Sequence, residues 1–269
     1  MKLCVAGGGK MAEALVGGLI ATGWARTDEI GIIEVVAERR AYLAETFAGV
    51  NIVESCIAAC VSAEFDVSDV LVAVKPQHVA DVAGELGSGG ATRALSIAAG
   101  VRIDALLAGF GAGARVIRAM PNTPALVGQG AAAIAASATA DDTDLAWATQ
   151  ILSAVGMVTV VDESELDAVT GLSGSGPAYI FLLAEAMIAA GIKQGLSPDV
   201  ADALGRQTVL GAATLLAESS ETPAQLRSNV TSPGGTTAAA IAAMQARNLE
   251  EIVGEGIAAA VARSVELGR

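Results

Sequence analysis

The residues with the clearest chemical meaning lie near the start of the chain, where a short apolar run is followed by Gly7-Gly8-Gly9-Lys10-Met11-Ala12. This string fits the pattern G-x-G-x-x-A. In that pattern the first glycine makes a tight turn, the second lets the backbone approach a pyrophosphate, and the third small residue lets a helix pack closely on a strand. The start of that helix offers free amides and partial positive charge to phosphates. The string therefore predicts a dinucleotide-binding loop.

A carboxylate at the end of the next predicted strand, Glu34, bears on which dinucleotide binds. It lies 25 residues after Gly9. A carboxylate in this place can accept hydrogen bonds from the adenosine ribose and repels a 2′-phosphate. We therefore expect NADH or NADPH as the cofactor, with NADH favoured, although Arg39 and Arg40 on the next helix could still reach a 2′-phosphate. The alternative is a solvated glutamate at a strand end.

A further candidate is Lys75, in the string Ala73-Val74-Lys75-Pro76 at the end of another apolar run. Ligands of open α/β sheets bind beyond the carboxyl ends of the strands. Lys75 is therefore placed to contact a ribose or a phosphate, or else it is a surface charge. His78, the only histidine, follows directly and is not assigned a catalytic role.

Two unusual strings lie at helix starts later in the chain, T-G-L-S-G-S-G-P-A-Y from Thr170 and N-V-T-S-P-G-G-T-T from Asn229. Small residues, hydroxyls and free amides at the start of a helix can bind an anion such as a carboxylate. Each string could instead be a loop that only begins a helix.

The elements that must position these residues alternate between strand and helix over the first 160 residues or so. Buried runs of this kind suit a parallel sheet covered by helices on both faces. We predict a Rossmann-type, doubly wound α/β sheet. Its predicted strands are Leu3–Ala6, Ile30–Glu34, Val70–Val74, Ala94–Ala98, Val116–Met120, Ala131–Ala136 and Met157–Val161, with helices over Met11–Thr22 and Asp142–Val155.

Past Asp162 the sequence shows no convincing strand and becomes Ala-rich and helical. We expect a dinucleotide-binding domain over 1–161 and an all-helical domain over 162–269. A helical domain of this size has more apolar surface than it can bury by itself, so we expect a second subunit to cover part of it. The predicted helices are Pro177–Gln194, Pro198–Ser219, Thr236–Ala246 and Leu249–Leu267.

Composition narrows the class of protein. A net charge of −13 argues against nucleic-acid binding, which needs clustered Lys and Arg. The longest uncharged run, Ala119–Ala140, contains two prolines and is a poor membrane span. The N-terminus begins with a strand rather than a secretory signal, so we expect a cytoplasmic protein. Three cysteines and one histidine make no metal-ligand set, and Cys4 is expected to be a small buried hydrophobe.

Together with Ala73-Val74-Lys75-Pro76 and Met120-Pro121-Asn122-Thr123-Pro124, the two helix-start strings resemble the Δ1-pyrroline-5-carboxylate reductases, the last enzymes of proline biosynthesis. The resemblance spans the whole chain in the right order, and V-T-S-P-G-G-T-T is particularly specific. It implies NAD(P)H-dependent reduction of 1-pyrroline-5-carboxylate to L-proline. It also implies a Rossmann domain followed by a helical dimerisation domain, with dimers often assembling into decamers.

The same resemblance assigns roles to individual residues. Thr170 matches a threonine proposed to hydrogen-bond near the ring nitrogen, and Glu163 borders the substrate in some relatives. Cofactor contacts are implied for Gly7 through Ala12, Ala73 through Pro76, Ala98, Ala99, Gly100, Asn122 and Asn229. The substrate carboxylate is implied to bind Ser232, Thr236 and Thr237. The chain departs from many relatives at Lys10 and at Glu34-Val35, and the second departure puts the usual NADPH preference in doubt.

Two other readings remain open. β-Hydroxyacid-type dehydrogenases also join a Rossmann domain to helices, but they usually need a lysine acid/base on the helical domain. Here Lys193 is the only lysine past residue 75, and it lacks the expected G-x-x-x-K-x-x-N context. A non-enzymatic NAD-binding protein would keep the glycine loop but would have no reason to carry the complete carboxylate loop.

Overall fold

The computed structural model describes residues 1–268 and divides them into two compact units. One unit contains Met1–Ser175 together with the chain from Ala260 onward, and the other contains Gly176–Ala259. The predicted sequence division at residue 161 falls earlier than this boundary, because the short helices after Asp162 pack on the sheet of the first unit. The division into functional domains at 161 and 162 stays a prediction.

The first unit is built on an eight-stranded sheet in the order β3-β2-β1-β4-β5-β6-β7-β8. Its strands are β1 Leu3–Ala6, β2 Ile30–Ile33, β3 Asn51–Val53, β4 Asp69–Val72, β5 Arg93–Ser96, β6 Arg115–Met120, β7 Gly130–Ala136 and β8 Gly156–Val160. All seven predicted strands are confirmed within a few residues. β3 was not predicted, because its three half-buried residues are too few to show a strand pattern.

Strand pairing is parallel throughout, except that β7 runs antiparallel to β6. The predicted doubly wound parallel sheet is therefore confirmed as mostly parallel, with one antiparallel pair. The link from β6 to β7 is too short for a crossover helix and holds only a 3₁₀ turn, Thr123–Val127. A parallel neighbour needs a connection of a dozen or more residues, so a short link of this kind leads to an antiparallel pair.

Helices cover both faces of this sheet, as predicted. They are α1 Lys10–Ala21, α2 Ala37–Thr46, α3 Cys56–Val61, α4 Val79–Ser88, α5 Ile103–Phe110, α6 Asp142–Ser153 and α7 Leu166–Val169. Successive residues of β4 show the two faces, because Leu71 packs in the cluster under α1 and α6, whereas Val70 and Val72 pack in the cluster under α4 and α5. A π-helical turn, Thr170–Gly174, follows α7 directly.

The cysteines lie inside the first unit. Cys4 is fully buried in β1, as predicted, and burial raises the pKa of its thiol. Burial and the nearby Glu85 carboxylate raise the pKa of Cys56 to about 12. Residues 1–268 contain no group of three His, Cys, Asp or Glu side chains arranged to hold a metal ion.

The second unit is entirely helical in its regular structure. Its helices are α8 Gly176–Lys193, α9 Pro198–Glu218, α10 Pro223–Asn229, α11 Thr236–Gln245 and α12 Leu249–Leu267, of which α12 continues into the first unit. The four predicted helices are confirmed, whereas α10 was not predicted. Pro198 and Pro223 each occupy the first helical turn, where a missing N–H costs nothing.

Apolar side chains of the second unit are largely exposed in the single chain. Phe181 and Leu182 on α8 are each 66% exposed, and α8 has no buried residue among those described. By length and composition alone, the stretch Glu163–Lys193 could cross a membrane, and its most apolar window is not buried. Apolar faces of this size indicate an interaction surface.

Candidate functional site

The carboxyl ends of β1, β2 and β4 bring the predicted dinucleotide residues together at one edge of the sheet. Gly7 has φ +100°, and a Cβ at this residue would lie 2.8 Å from the carbonyl oxygen of Ala73 and 2.9 Å from Cγ1 of Val74. No side chain fits there. The Gly7 loop therefore lies directly against the Ala73-Val74 strand end, in the tight turn that the motif predicts.

The peptide groups of Gly8 are held on both sides by the segment after β2. The Gly8 N–H donates to Oε2 of Glu34 at 2.9 Å, and the Gly8 carbonyl accepts from Nε of Arg39 at 2.6 Å. A Cβ on Gly8 would come within 2.5 Å of Cδ1 of Leu43. The middle of the glycine loop is therefore fixed before any ligand binds.

Gly9 provides the open part of the loop. It precedes α1 in an extended conformation with no side-chain cap, and nothing lies within 4 Å of the position its Cβ would take. The first amides of a helix have no carbonyl partner within that helix. Room for a ligand and free amide donors therefore coincide, and these residues fit a dinucleotide pyrophosphate.

Glu34 is buried, at 9% exposure, so the reading of a solvated strand-end glutamate is wrong. Its second oxygen, Oε1, accepts from the N–H of Val36 at 2.8 Å. Each carboxylate oxygen keeps a further lone pair that a ribose hydroxyl could use. Arg40 donates to the carbonyl oxygens of Glu34 and Val35, at 2.9 and 2.8 Å.

Arg39 also pairs with Glu13 of α1, which in turn accepts from the Tyr42 hydroxyl at 2.9 Å. Burial disfavours the ionised Glu13 carboxyl, but hydrogen bonds from Arg39, Tyr42 and Lys10 outweigh it and lower its pKa. The Lys10 side chain is 73% exposed, with its Nζ 3.3 Å from Glu13. Lys75 is likewise exposed at the end of β4.

The loop after β5 contains the predicted residues Ala98, Ala99 and Gly100. Ala98 is buried and Ala99 is exposed, whereas Gly100 adopts φ +78°. A cavity of about 600 Å³ adjoins this loop, between Pro76-Gln77, Gly100–Ala105 and the C-terminal turn at Leu267-Gly268. Two of the predicted cofactor loops therefore face one space.

Asn122 uses both ends of its amide within the first unit. Nδ2 donates to the Ser173 carbonyl at 3.0 Å, and Oδ1 accepts from the Ala131 N–H at 2.9 Å. These bonds hold the π-helical turn at the end of β6. A direct cofactor contact by this side chain stays a prediction.

Glu163 forms an ion pair with the buried Arg118, at 3.1 Å, and accepts from the Ile103 N–H at the start of α5, at 2.8 Å. Its contact with substrate stays a prediction.

Thr170 opens the π-helical turn, and its hydroxyl donates to the Leu166 carbonyl at 2.8 Å. That proton is engaged, so Oγ1 is available as an acceptor rather than as a donor. π-Helical turns are frequent at functional sites.

In the second unit, the loop before α11 has the features of an anion site. The Gly235 N–H donates to the Ser232 carbonyl at 3.0 Å, and Gly234 has φ +71°. Gly235 precedes α11 with no side-chain cap, so the first amides of α11 stay open to a ligand. Ser232 and Thr236 are exposed and Thr237 is half-buried.

Asn229 lies at the end of α10, where its side chain donates to Glu221 at 2.9 Å and accepts from Gln225 at 3.1 Å. Among the predicted residues of the second unit, Asn229 therefore differs in that its side chain is already hydrogen-bonded within the protein. Its cofactor contact stays a prediction.

Two family models match the chain. Residues 2–102 match the NADP oxidoreductase, coenzyme F420-dependent, family, and residues 163–267 match the pyrroline-5-carboxylate reductase dimerisation family. A pyrroline-5-carboxylate reductase of a Synechocystis species is 45% identical over 100% of this chain and 99% of its own length. The chain belongs to the pyrroline-5-carboxylate reductase family.

Solved structures agree with this membership. A pyrroline-5-carboxylate reductase from Coxiella burnetii has a TM-score of 0.91 at 36% identity and covers 100% of this chain and 98% of its own. A Plasmodium falciparum pyrroline carboxylate reductase with NADP bound has a TM-score of 0.84 at 26% identity, covering 100% and 98%.

Sequence reasoning missed the contacts that Arg39 and Glu13 make around the glycine loop. Arg39 was considered only for a 2′-phosphate, yet it binds the Gly8 carbonyl and Glu13. The two charged residues lie 26 positions apart on different helices. No local spacing indicates such a pair, and only the packing of α2 beside α1 brings it together.

Proposed function

We propose that this chain reduces 1-pyrroline-5-carboxylate to L-proline with NADH or NADPH. The observation that carries the proposal is family membership over the full chain, with 45% identity to a reductase of that name. The dinucleotide loop and the open start of α11 supply the two kinds of site that the reaction needs. The fold alone would not identify it, since a prephenate dehydrogenase from Aquifex aeolicus also matches with a TM-score of 0.56 at 13% identity.

The dinucleotide is held at the edge formed by β1, β2 and β4. Gly9 leaves room for the pyrophosphate, and the first amides of α1 donate to it. Glu34 and Arg39 keep the Gly8 peptides in place. When bound, the reduced nicotinamide supplies the hydride.

The substrate carboxylate is bound by the loop before α11. The hydroxyls of Ser232, Thr236 and Thr237 and the uncapped amides of that helix are donors of the kind a carboxylate accepts. Fixing the carboxylate orients the ring, and well-oriented groups can contribute roughly 7–11 kcal/mol to lowering a barrier.

Hydride addition at ring C5 is easiest when the imine nitrogen is protonated, since an iminium is already a good electrophile. Thr170 suits this state because its proton is engaged with the Leu166 carbonyl and its oxygen can accept from an iminium N–H. The proton itself then comes from solvent. No histidine, metal or strong acid is needed at the nitrogen.

The finer proposal is that NADH is preferred. Glu34 is positioned to accept from ribose hydroxyls and to repel a 2′-phosphate. Arg39 and Arg40, which carry the charge to attract that phosphate, donate to Glu13 and to backbone carbonyls. Nε and Nη2 of Arg39 and Nη1 of Arg40 are therefore engaged within the protein.

The active form is an oligomer of this chain, in the cytoplasm. The dimerisation family model covers 163–267, and the exposed apolar residues of α8 lie within it. A dimer is the basic unit, and assembly to a decamer is the extension that the family resemblance suggests.

The test is to follow reduced-nicotinamide absorbance when the purified chain is mixed with pyrroline-5-carboxylate and either NADH or NADPH. We expect oxidation of both, faster with NADH at equal low concentration. The absence of oxidation with either dinucleotide would reject the proposed function. A higher kcat/KM with NADPH would reject only the preference.

A further inference from the structure

The last turn of α12, which begins at Ser264, and Gly268 directly after it belong to the first compact unit, where they contact α7 and the loop after β5. Ser264 is 5% exposed, and its Oγ donates to Oδ1 of Asp167 at 2.6 Å, across 97 positions of sequence. Asp167 lies in α7, three residues before Thr170. A hydroxyl–carboxylate bond is charge-assisted and short, and this one is partly buried. It therefore fixes the end of α12 against the helix that leads into the π-helical turn.

The same turn contacts the loop after β5. A Cβ on Gly100 would lie 3.3 Å from the Leu267 carbonyl oxygen, and a Cβ on Gly268 would lie 3.0 Å from the Gly100 carbonyl oxygen. Gly100 has φ +78°, a conformation that side chains disfavour. The C-terminal backbone thus occupies the side of Gly100 where a side chain would project. Leu267 and Gly268 also line the cavity that adjoins this loop.

We propose that the last turn of α12 is a positioning element for the reacting end of the site, with Ser264 acting through Asp167 on Thr170 and Leu267 acting on the Gly100 loop. This rests on the proposed function, in which Thr170 serves the imine, and on the family resemblance, which implies that the loop at Gly100 lies near the nicotinamide. The adenosine end depends instead on the loop after β1. Loosening the turn should therefore lower kcat more than it weakens dinucleotide binding.

The experiment compares Ser264→Ala, Asp167→Ala and the double variant in the full chain. Because small misplacements far from the reacting atoms can cost up to about 100-fold, we expect each single variant to lower kcat by about 10- to 100-fold. The double variant should lose little more, since both changes remove one bond. Arg263→Ala is the matched control: its side chain lies one residue away, is 65% exposed and pairs only locally with Glu266. It should keep the wild-type kcat.

A second readout does not depend on turnover. The fluorescence of bound NADH, at saturation, reports the surroundings of the nicotinamide, and we expect Ser264→Ala to change it while Arg263→Ala does not. Wild-type kcat and fluorescence in Ser264→Ala would overturn the proposal. So would a parallel fall in kcat, NADH affinity and melting temperature, which indicates general loosening. If the wild type reduces no pyrroline-5-carboxylate, the proposed function fails, whereas the fluorescence comparison still decides the positioning role.

Discussion

In the first unit, Leu71 and Leu95 are fully buried within a sheet that helices cover on both faces, whereas in the second unit Phe181 and Leu182 are two-thirds exposed on α8. Fully burying such a side chain contributes about 1.5–3 kcal/mol. The first unit therefore has its own core within one chain. The second unit has apolar residues of the same kind but lacks the elements that would cover them, and the family's dimerisation model spans this region.

The polar residues of the two units show the same contrast between groups that have partners within the chain and groups that are left exposed. Around the glycine loop, Glu34 and Arg39 already have hydrogen-bond partners within the protein. In the loop before α11, Ser232 and Thr236 are exposed and the helix start is uncapped. The glycine loop is therefore preorganised by contacts within the protein, whereas the loop before α11, the proposed carboxylate site, keeps donors open for a ligand.

The largest effect should follow from placing a charge on the exposed apolar face of α8. We expect Phe181→Glu to prevent dimer formation and to abolish reductase activity, because burying an unpaired carboxylate at an interface costs several kcal/mol in each subunit. Analytical ultracentrifugation measures the assembly state. Val127→Glu is the control, since Val127 is 75% exposed in the first unit and should leave the dimer intact.

If Phe181→Glu sedimented like the wild type, the exposed apolar face of α8 would not be the surface that a second subunit covers. A wild-type chain that is monomeric and binds lipid vesicles would point instead to a bilayer as the cover of α8, in line with the apolar length of Glu163–Lys193.

A smaller effect is expected at the carboxylate loop. Hydrogen bonds to charged groups contribute about 1.5–3 kcal/mol, so Thr237→Ala should raise the KM for pyrroline-5-carboxylate by about 10- to 100-fold. The KM for the dinucleotide and the melting temperature should hardly change, because Thr237 serves the ligand rather than the fold. Thr237→Ser keeps the hydroxyl and should restore most of the affinity. Equal KM values for the substrate in wild type and Thr237→Ala would show that this residue does not bind the carboxylate.

The corresponding change in the first unit should behave differently. Glu34→Ser removes the proposed ribose acceptor and also releases the Gly8 N–H. We therefore expect the ratio of kcat/KM for NADH over NADPH to fall by about 10-fold, together with a higher KM for NADH and a lower melting temperature. Glu38→Ser, an exposed carboxylate on the next helix, should change none of these values. If the ratio of kcat/KM for NADH over NADPH stayed unchanged while the melting temperature fell, Glu34 would support the fold without selecting the cofactor.

Much of the first unit was predictable because its strands are short continuous apolar runs between turn residues. The exceptions have local causes: β3 is too short to show such a run, and the direction of β7 depends on the length of one link. The local geometry of two loops was predictable as well, since the glycine spacing predicts the tight turn at Gly7 and the V-T-S-P-G-G-T-T string predicts a helix start at Thr236; what they bind stays a prediction.

The partners of those residues were not predictable. Asn122 and Glu163 are predicted ligand contacts, and their side chains also join Ser173 to Ala131 and Arg118 to α5, which the sequence did not indicate. Contacts between residues far apart in sequence arise only when the chain packs, and a single sequence carries no signal for them. For Thr170, the sequence indicates a hydroxyl near the ring nitrogen but not that its proton is engaged with the Leu166 carbonyl, because that bond depends on its position in the helix.

The smallest expected effect concerns the ion pair beside the glycine loop. The lowered pKa of Glu13 means that its ionised form is stabilised in the folded protein, so it contributes stability above the ordinary carboxyl pKa of 4.5 and loses that contribution as the pH falls through its folded pKa. Glu13→Gln should therefore lower the free energy of unfolding by about 0.5–1 kcal/mol at pH 7, in the range of partly exposed pairs. The difference from wild type should shrink steadily below pH 4.5. Urea unfolding at matched protein concentrations measures it, with the exposed Glu45→Gln as control. A difference that grew on acidification would contradict this sign. It would mean that Glu13 is destabilised by its burial and that Arg39 is held in place by the Gly8 carbonyl alone.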